Sequence, residues 1–360
     1  MTRIVGTTCG WETGDINEVG VISQVNMTAT AATATPTPRS GSYCAKFNAT
    51  GSNSGFGNYS KMRISLASAI SEVWSRFAVN LNITDTNAQI NLHQDFDSAG
   101  GQQCYITWFA SDGLIRAYRA GTLLGTSSVA IAATGALWRL IQIRHLVHSS
   151  TGVYELWIDN VQVVNFTGNT QATANANVQH FDLGHVRNGN GTFSVNNNQY
   201  VAIDDLALNN TSGSVNNGKP ADAKVLMLRP TGAGSSTVLT RGGTDTGANW
   251  SQTSETPWSN AQYVQSANVG DRDLYATADL PITAVSVAMA ELRMSAQNSD
   301  GTGGNLALTL KSGATVDEGT APALTTTTAY YHRLLETDPA TSAAWTLSAL
   351  NAVEIGATVR

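Results

Sequence analysis

Charge is what this chain has least of. Only 13% of its 360 residues are Asp, Glu, Lys or Arg, about half the share of an ordinary soluble domain. Twenty Lys and Arg against 26 Asp and Glu leave a net charge of −6. That balance offers no basic field for gripping a phosphate backbone, so nucleic acid is excluded as a partner. No apolar run reaches the roughly 18 residues that a membrane-crossing helix needs, and no membrane partner is expected. The opening residues, Met1 to Gly6, lack the apolar core of a secretory signal. Cysteine is scarce as well. Cys9, Cys44 and Cys104 are odd in number and far apart, which suits neither a disulfide framework nor a C-x-x-C metal knuckle. Inert thiols made in a reducing cytoplasm are the expectation, because a nucleophilic cysteine needs a positioned base. Glycine-rich nucleotide motifs are missing too.

Hydrophobic residues are present in good supply, at 42%. Disorder by composition needs few of them together with a high net charge, so the chain has the means to bury a core. The polar surface must then come from Ser, Thr, Asn, Gln and 33 glycines, a palette of strands and turns. Period-two alternation agrees. Between Ser75 and Ile83, Phe77, Val79, Leu81 and Ile83 share one face while Arg76, Asn80 and Asn82 share the other. Tyr154, Leu156 and Ile158 repeat the pattern against Glu155, Trp157 and Asp159, and Asp159-Asn160 sits where a tight hairpin turn belongs. Leu137 to Val147 and Tyr200 to Leu208 read as further strands. Residues 29 to 38, ending Pro36-Thr37-Pro38, read as a loop, as does Asn188-Gly189-Asn190-Gly191.

A shift to Asn, Ser, Thr and Gly at Asn209 to Pro220 marks a boundary. It divides the chain into a first domain of residues 1–210, a linker of 211–220 and a second domain of 221–360, in keeping with about 150 residues per domain. Strand patterning resumes at Lys224 to Arg229, Thr283 to Met294 and Asn305 to Lys311, and Trp345 to Asn351 suits one or two helical turns.

The order of these segments resembles known families. Trp11-Glu12-Thr13-Gly14-Asp15, the Arg39 to Phe47 strand, Gly152 to Asn160 and Ile203-Asp204-Asp205-Leu206 resemble the concanavalin A-like, laminin-G-type jelly roll. In the last third, Gly270 to Tyr275, Leu280-Pro281, Glu336-Thr337-Asp338-Pro339, Trp345-Thr346 and Asn351 to Gly356 look like a domain of tailed-bacteriophage structural proteins. The fold implied is all-β, a jelly-roll sandwich followed by a second, smaller antiparallel β-sandwich.

Jelly rolls of this type host hydrolases, lectins and plain scaffolds. Hydrolases among them carry Glu-x-Asp-x-Glu on one strand, and none of the nine glutamates here has that spacing. Asp95-Phe96-Asp97 places alternate carboxylates on one strand face without a glutamate. No catalytic residue is therefore assigned. Related jelly rolls hold a structural calcium ion, which wants about six to eight oxygen ligands. Asp95, Asp97, Asp182, Asp204 and Asp205 are the candidates, although neighbours Asp204 and Asp205 should point to opposite faces of their strand. Beyond such an ion no cofactor is expected. His145 and His148 have no partner at metal spacing and read as ordinary histidines. Trp157, turned away from its apolar neighbours, is the one candidate for stacking on a sugar or a neighbouring subunit.

Together these features predict a non-enzymatic structural component of a tailed-phage virion, made in the host cytoplasm. Capsid decoration is the first reading, a tail-associated adhesin for host glycans the second, and a glycan depolymerase the third. The partners expected are copies of itself, as a trimer, and other virion proteins, with a host surface glycan as the further candidate.

Overall fold

The computed structural model describes residues 8–25, 27–49, 58–135, 137–187, 199–212, 215–244, 246–301 and 303–360. The architecture is all-β, and the chain divides into compact units at Leu226/Met227. Asn188 to Gly191, expected as a loop, lies outside the described residues.

The first unit is a sandwich of two antiparallel sheets. One has the strand order Val161–Gly168, Gly152–Ile158, Arg139–Leu146, Glu72–Asn82, Tyr200–Asn209, Cys44–Ala49, Met27–Ala32, with Thr8–Cys9 beside Tyr200–Asn209. The other runs Thr122–Thr126, Ile115–Arg119, Gln102–Phe109, Gln89–Phe96, Val178–Arg187, Tyr59–Ile70, Val21–Val25. Alternation explains why they face each other. Phe77, Val79 and Leu81 of one sheet and Ile90, Ile106 and Phe181 of the other point into a common core, each at most 2% exposed. Asp159 and Asn160 turn the hairpin with φ of 50° and 67°, the left-handed pair that matches the twist of the flanking strands.

Some readings fail for local reasons. Met27–Ala32 is a strand, not part of a loop, because it pairs residue for residue with Cys44–Ala49. Residues 224–229 form no strand, and the 283–294 pattern becomes one only at Ala290–Ala296. The end of the stretch read as a linker, and residues 221–226 read as the start of the second domain, belong to the first unit. Pro220 O accepts from Gln142 Nε2 at 2.5 Å, Ala221 O from Arg76 Nη1 at 2.8 Å, and Val225 N donates to Asp205 Oδ1 at 2.7 Å.

The second unit has a five-stranded antiparallel sheet in the order Pro230–Thr237, Arg272–Thr277, Glu354–Val359, Leu306–Ser312, Thr315–Glu318, with two two-stranded ribbons. Its core gathers Leu292, Leu308, Leu310, Leu335, Trp345, Leu350 and Val353. The expected turn of helix is Leu347–Asn351, capped by Thr346 Oγ1, which accepts from Ala349 N at 3.1 Å.

One part of the first core is polar. His145 Nδ1 lies 2.8 Å from Asp95 Oδ2, both side chains fully buried, with Tyr154 edge-on to the imidazole at 5.3 Å. His145 is thus a core histidine satisfied by Asp95. Burial works against a charge there, yet the Cys104 sulfur and the Asp95 carboxylate hold the imidazole pKa up, at about 10. His93 stacks on Phe77 at 5.9 Å, and burial lowers its pKa. A free histidine titrates near 6.5. The pair's contribution to stability is therefore complete below that pH and lost as pH rises through about 10. His145→Gln leaves the buried Asp95 carboxylate with only His93 Nε2, 3.5 Å from its Oδ1, beside it and should cost about 3 kcal/mol, the low end for breaking a buried pair. Urea unfolding at pH 6 measures it, and the cost should shrink toward pH 10; an unchanged midpoint rules the pairing out.

Candidate functional site

The outer face of the seven-stranded sheet concentrates polar and aromatic side chains. Its geometry begins with an irregularity. In Gln89–Phe96 the register shifts between Asn91 and His93, so Leu92 and His93 both enter the core. The extra residue resets the alternation: Gln94 and Phe96 face outward while Asp95 turns in. Cross-strand registry then lines up Tyr118, Tyr105, Gln94, Asp182 and Arg63 as one row across five strands. Four inter-strand steps of ~4.8 Å make that row roughly 19 Å long.

The row has distinct ends. Tyr105 and Tyr118 stack with ring centroids 5.2 Å apart and 19° between planes. Burial raises both phenol pKa values, with Tyr118 adding to the effect on Tyr105, so both stay protonated at neutral pH. At the other end Asp182 is buried beneath two cations. It accepts from Lys61 Nζ at 2.5 Å, from Arg63 Nε at 2.6 Å and from Arg63 Nη2 at 2.8 Å. This clamp raises the Arg63 pKa and sets its guanidinium 4.4 Å from the Phe96 ring centroid. Between the ends sits Gln94, whose carboxamide makes no hydrogen bond among the described residues. Alongside, Thr107 Oγ1 donates to Asn91 Oδ1 at 2.6 Å, and Arg116 lies 4.0 Å from the Phe109 centroid, paired with Asp112 at 2.5 Å.

The carboxylates expected to share a metal ion fall in separate places. Asp95 is in the core with His145, and Asp182 is under Lys61 and Arg63. Asp97 follows its strand and closes a turn, accepting from Gly101 N at 2.7 Å and Thr173 Oγ1 at 2.6 Å. It therefore does not share a strand face with Asp95. Asp204 and Asp205 do not diverge to opposite faces. The strand shifts register between Asp204 and Ala207, and Asp205 has φ of 52°. Both side chains consequently turn to the 39–40 segment: Asp204 Oδ2 accepts from Arg39 N at 2.8 Å, and Asp205 Oδ1 accepts from Ser40 Oγ at 2.6 Å. Among the described residues no three His, Cys, Asp or Glu side chains converge as metal ligands.

Trp157 belongs to the other sheet. It faces outward, stacks on Trp74 at 5.6 Å and has Lys219 Nζ 5.1 Å from its ring centroid. Sequence reasoning missed the Tyr118-to-Arg63 row. The alternation of Tyr105, Thr107 and Phe109 was a readable sign of it, but the shift at Asn91 hid the parity of Gln94.

No family model and no curated protein matches the chain. Solved structures do. An endo-β-1,4-glucuronan lyase from the fungus Trichoderma reesei is 16% identical, with 58% of this chain and 95% of that one covered at a TM-score of 0.44. An alginate lyase from a Chlorella virus is 12% identical over 57% and 99%, at 0.40. A carbohydrate-binding module from Bacillus subtilis is 7% identical over 54% and 98%, at 0.32. Identities this low speak to the jelly-roll fold. The expectation of a non-enzymatic virion component with capsid decoration as its role finds no counterpart among them: these three structures are two polysaccharide lyases and a carbohydrate-binding module. The motifs behind that expectation specify strands and turns, and such features do not carry function.

The Asp182 clamp yields a direct test. Asp182→Asn removes the charge that holds Lys61 and Arg63, and should cost about 1.5–3 kcal/mol, the range for hydrogen bonds to charged groups. Denaturant unfolding measures it, and no loss means the cations are held some other way.

Proposed function

We propose that the first unit binds an acidic polysaccharide laid across the Tyr118–Tyr105–Gln94–Asp182–Arg63 row, and that this face cuts the chain by β-elimination. The observation that carries the reading is the row itself. Stacked phenols offer flat apolar surface to sugar rings while keeping a polar edge. Gln94 and Arg63 present donors with a fixed orientation, and a forked guanidinium matches a carboxylate in two hydrogen bonds. The chemistry follows from those positions. A uronate carboxylate held by Arg63 and Gln94 has its charge offset, which acidifies the neighbouring carbon-bound proton. Solvent water takes that proton, a carbon–carbon double bond forms as the adjacent bond to the glycosidic oxygen breaks, and a protonated tyrosine within the row donates to the departing oxygen. Such cleavage needs no pair of carboxylates, which agrees with their absence at glycosidase spacing.

Affinity electrophoresis against alginate, glucuronan and polygalacturonate, with ultraviolet detection of unsaturated uronate ends, tests both halves. Retarded migration and a growing absorbance are expected with at least one of the three. Arg63→Ala and Gln94→Ala should each weaken binding about tenfold, the equivalent of one charge-assisted hydrogen bond. Unimpeded migration and no absorbance with all three polymers overturns the proposal.

A further inference from the structure

On the opposite side of the sandwich, the outer face of the eight-stranded sheet carries a second recess. It has a volume of about 550 Å³ and is lined by residues 34–39, Asn82, Gly135, Trp138 and Tyr200. That volume lies within the range of small-ligand pockets, roughly 300–1,000 Å³. Strand parity puts it outside the main core. Val201 and Ile203 point inward, whereas Tyr200 and Ala202 form a separate cluster with Cys44, against which Ala32 and Trp138 pack.

Two aromatic side chains of the wall are held in place before any ligand arrives. Trp138 Nε1 donates to Thr37 O at 2.9 Å, tying the indole to the segment that carries Pro36 and Pro38. Tyr200 sits directly opposite Asn82 across the strand pair, and its hydroxyl donates to Asn80 Oδ1 at 3.4 Å. Arg39 is already engaged by Asp205 and Asp222 and so supplies shape rather than free charge.

Two polar groups beside this wall remain unspent. The Asn80 side chain is fully buried, and its Nδ2 has no hydrogen-bond partner among the described residues. A buried amide left so is costly and marks a place where a ligand oxygen or an ordered water completes the structure. The second group is Lys46, which lies across Ala202 from Asn80 in the same cross-strand row. Its ammonium is 4.6 Å from the Tyr200 ring centroid, and among the described residues it joins no ion pair. Fixed aromatic surface with a free cation at its edge suits a ring that is apolar on one face and anionic at its rim.

We infer that this recess is a second carbohydrate site, taking one or two units of an anionic sugar, with the ring against Trp138 and the carboxylate toward Lys46. It is separate from the row on the seven-stranded sheet and does not depend on that row's function. Two sites on one chain would let a long polymer bind with a raised local concentration.

Calorimetric titration tests this in a background carrying Arg63→Ala and Gln94→Ala, which silences the other face. The probes are a short oligogalacturonate and an uncharged cello-oligosaccharide of equal length. Residual binding of the oligogalacturonate is expected. Trp138→Ala should weaken it about tenfold, and Lys46→Gln should abolish the preference for the charged probe. Thermal unfolding checks each variant; should Trp138→Ala fail to fold, Lys46→Gln decides alone. Absence of binding in the silenced background overturns the site, as does binding indifferent to Lys46→Gln. If Arg63→Ala and Gln94→Ala leave the total affinity unchanged, the reading of the other face fails, while the Lys46 and Trp138 comparison still decides this one.

Discussion

One extra residue in the Gln89–Phe96 strand governs both the inside and the outside of the first unit. Leu92 and His93 enter the core in succession, so every later residue of that strand exchanges faces relative to strict alternation. Asp95 is thereby delivered to His145, and Gln94 and Phe96 are delivered to the outer surface beside Tyr105 and Asp182. Removing the extra residue would send a carboxylate outward and an amide into apolar packing. The buried pair and the outer row are therefore two results of one backbone choice.

The buried pair also shows why charge can be so scarce in this chain and still matter. A charge fully removed from water survives only with a partner. Most charged side chains in the first unit are disposed as fixed pairs: Asp182 with Lys61 and Arg63, Asp205 with Arg39, Arg144 with Glu72 and Glu155. Low charge content thus reads as economy of placement. Such pairs orient cations at a surface without producing a broad basic field.

Much of the sandwich was legible in the sequence. The inward sets Phe77/Val79/Leu81 and Tyr154/Leu156/Ile158 are buried as alternation requires, and the Asp159-Asn160 turn stands where the pattern put it. These segments read correctly because their strands are regular. The outer row did not read, because its parity depends on the shift at Asn91, which leaves no mark in residue type. Asp204 and Asp205 failed for the same reason, a register shift that turns two adjacent side chains to one segment. His145 was read only as an ordinary histidine without a metal, and the fold alone reveals Asp95 beside it. Composition misled most at 283–289, where Val285 is exposed rather than stranded.

The stretch from Gly218 to Val225 has a mechanical meaning. It holds the first unit through Asn209 Nδ2, Arg76, Gln142 and Asp205 before the chain passes Leu226. A pull applied beyond Leu226 is therefore met first by the bonds of Val225 to Asp205 and Ser40, then by the Asp222–Arg39 pair, then by the carbonyls of Ala221 and Pro220 in turn. Tension would peel this stretch bond by bond before any strand of the sandwich bore load, a sacrificial strap sewn along the side of the domain.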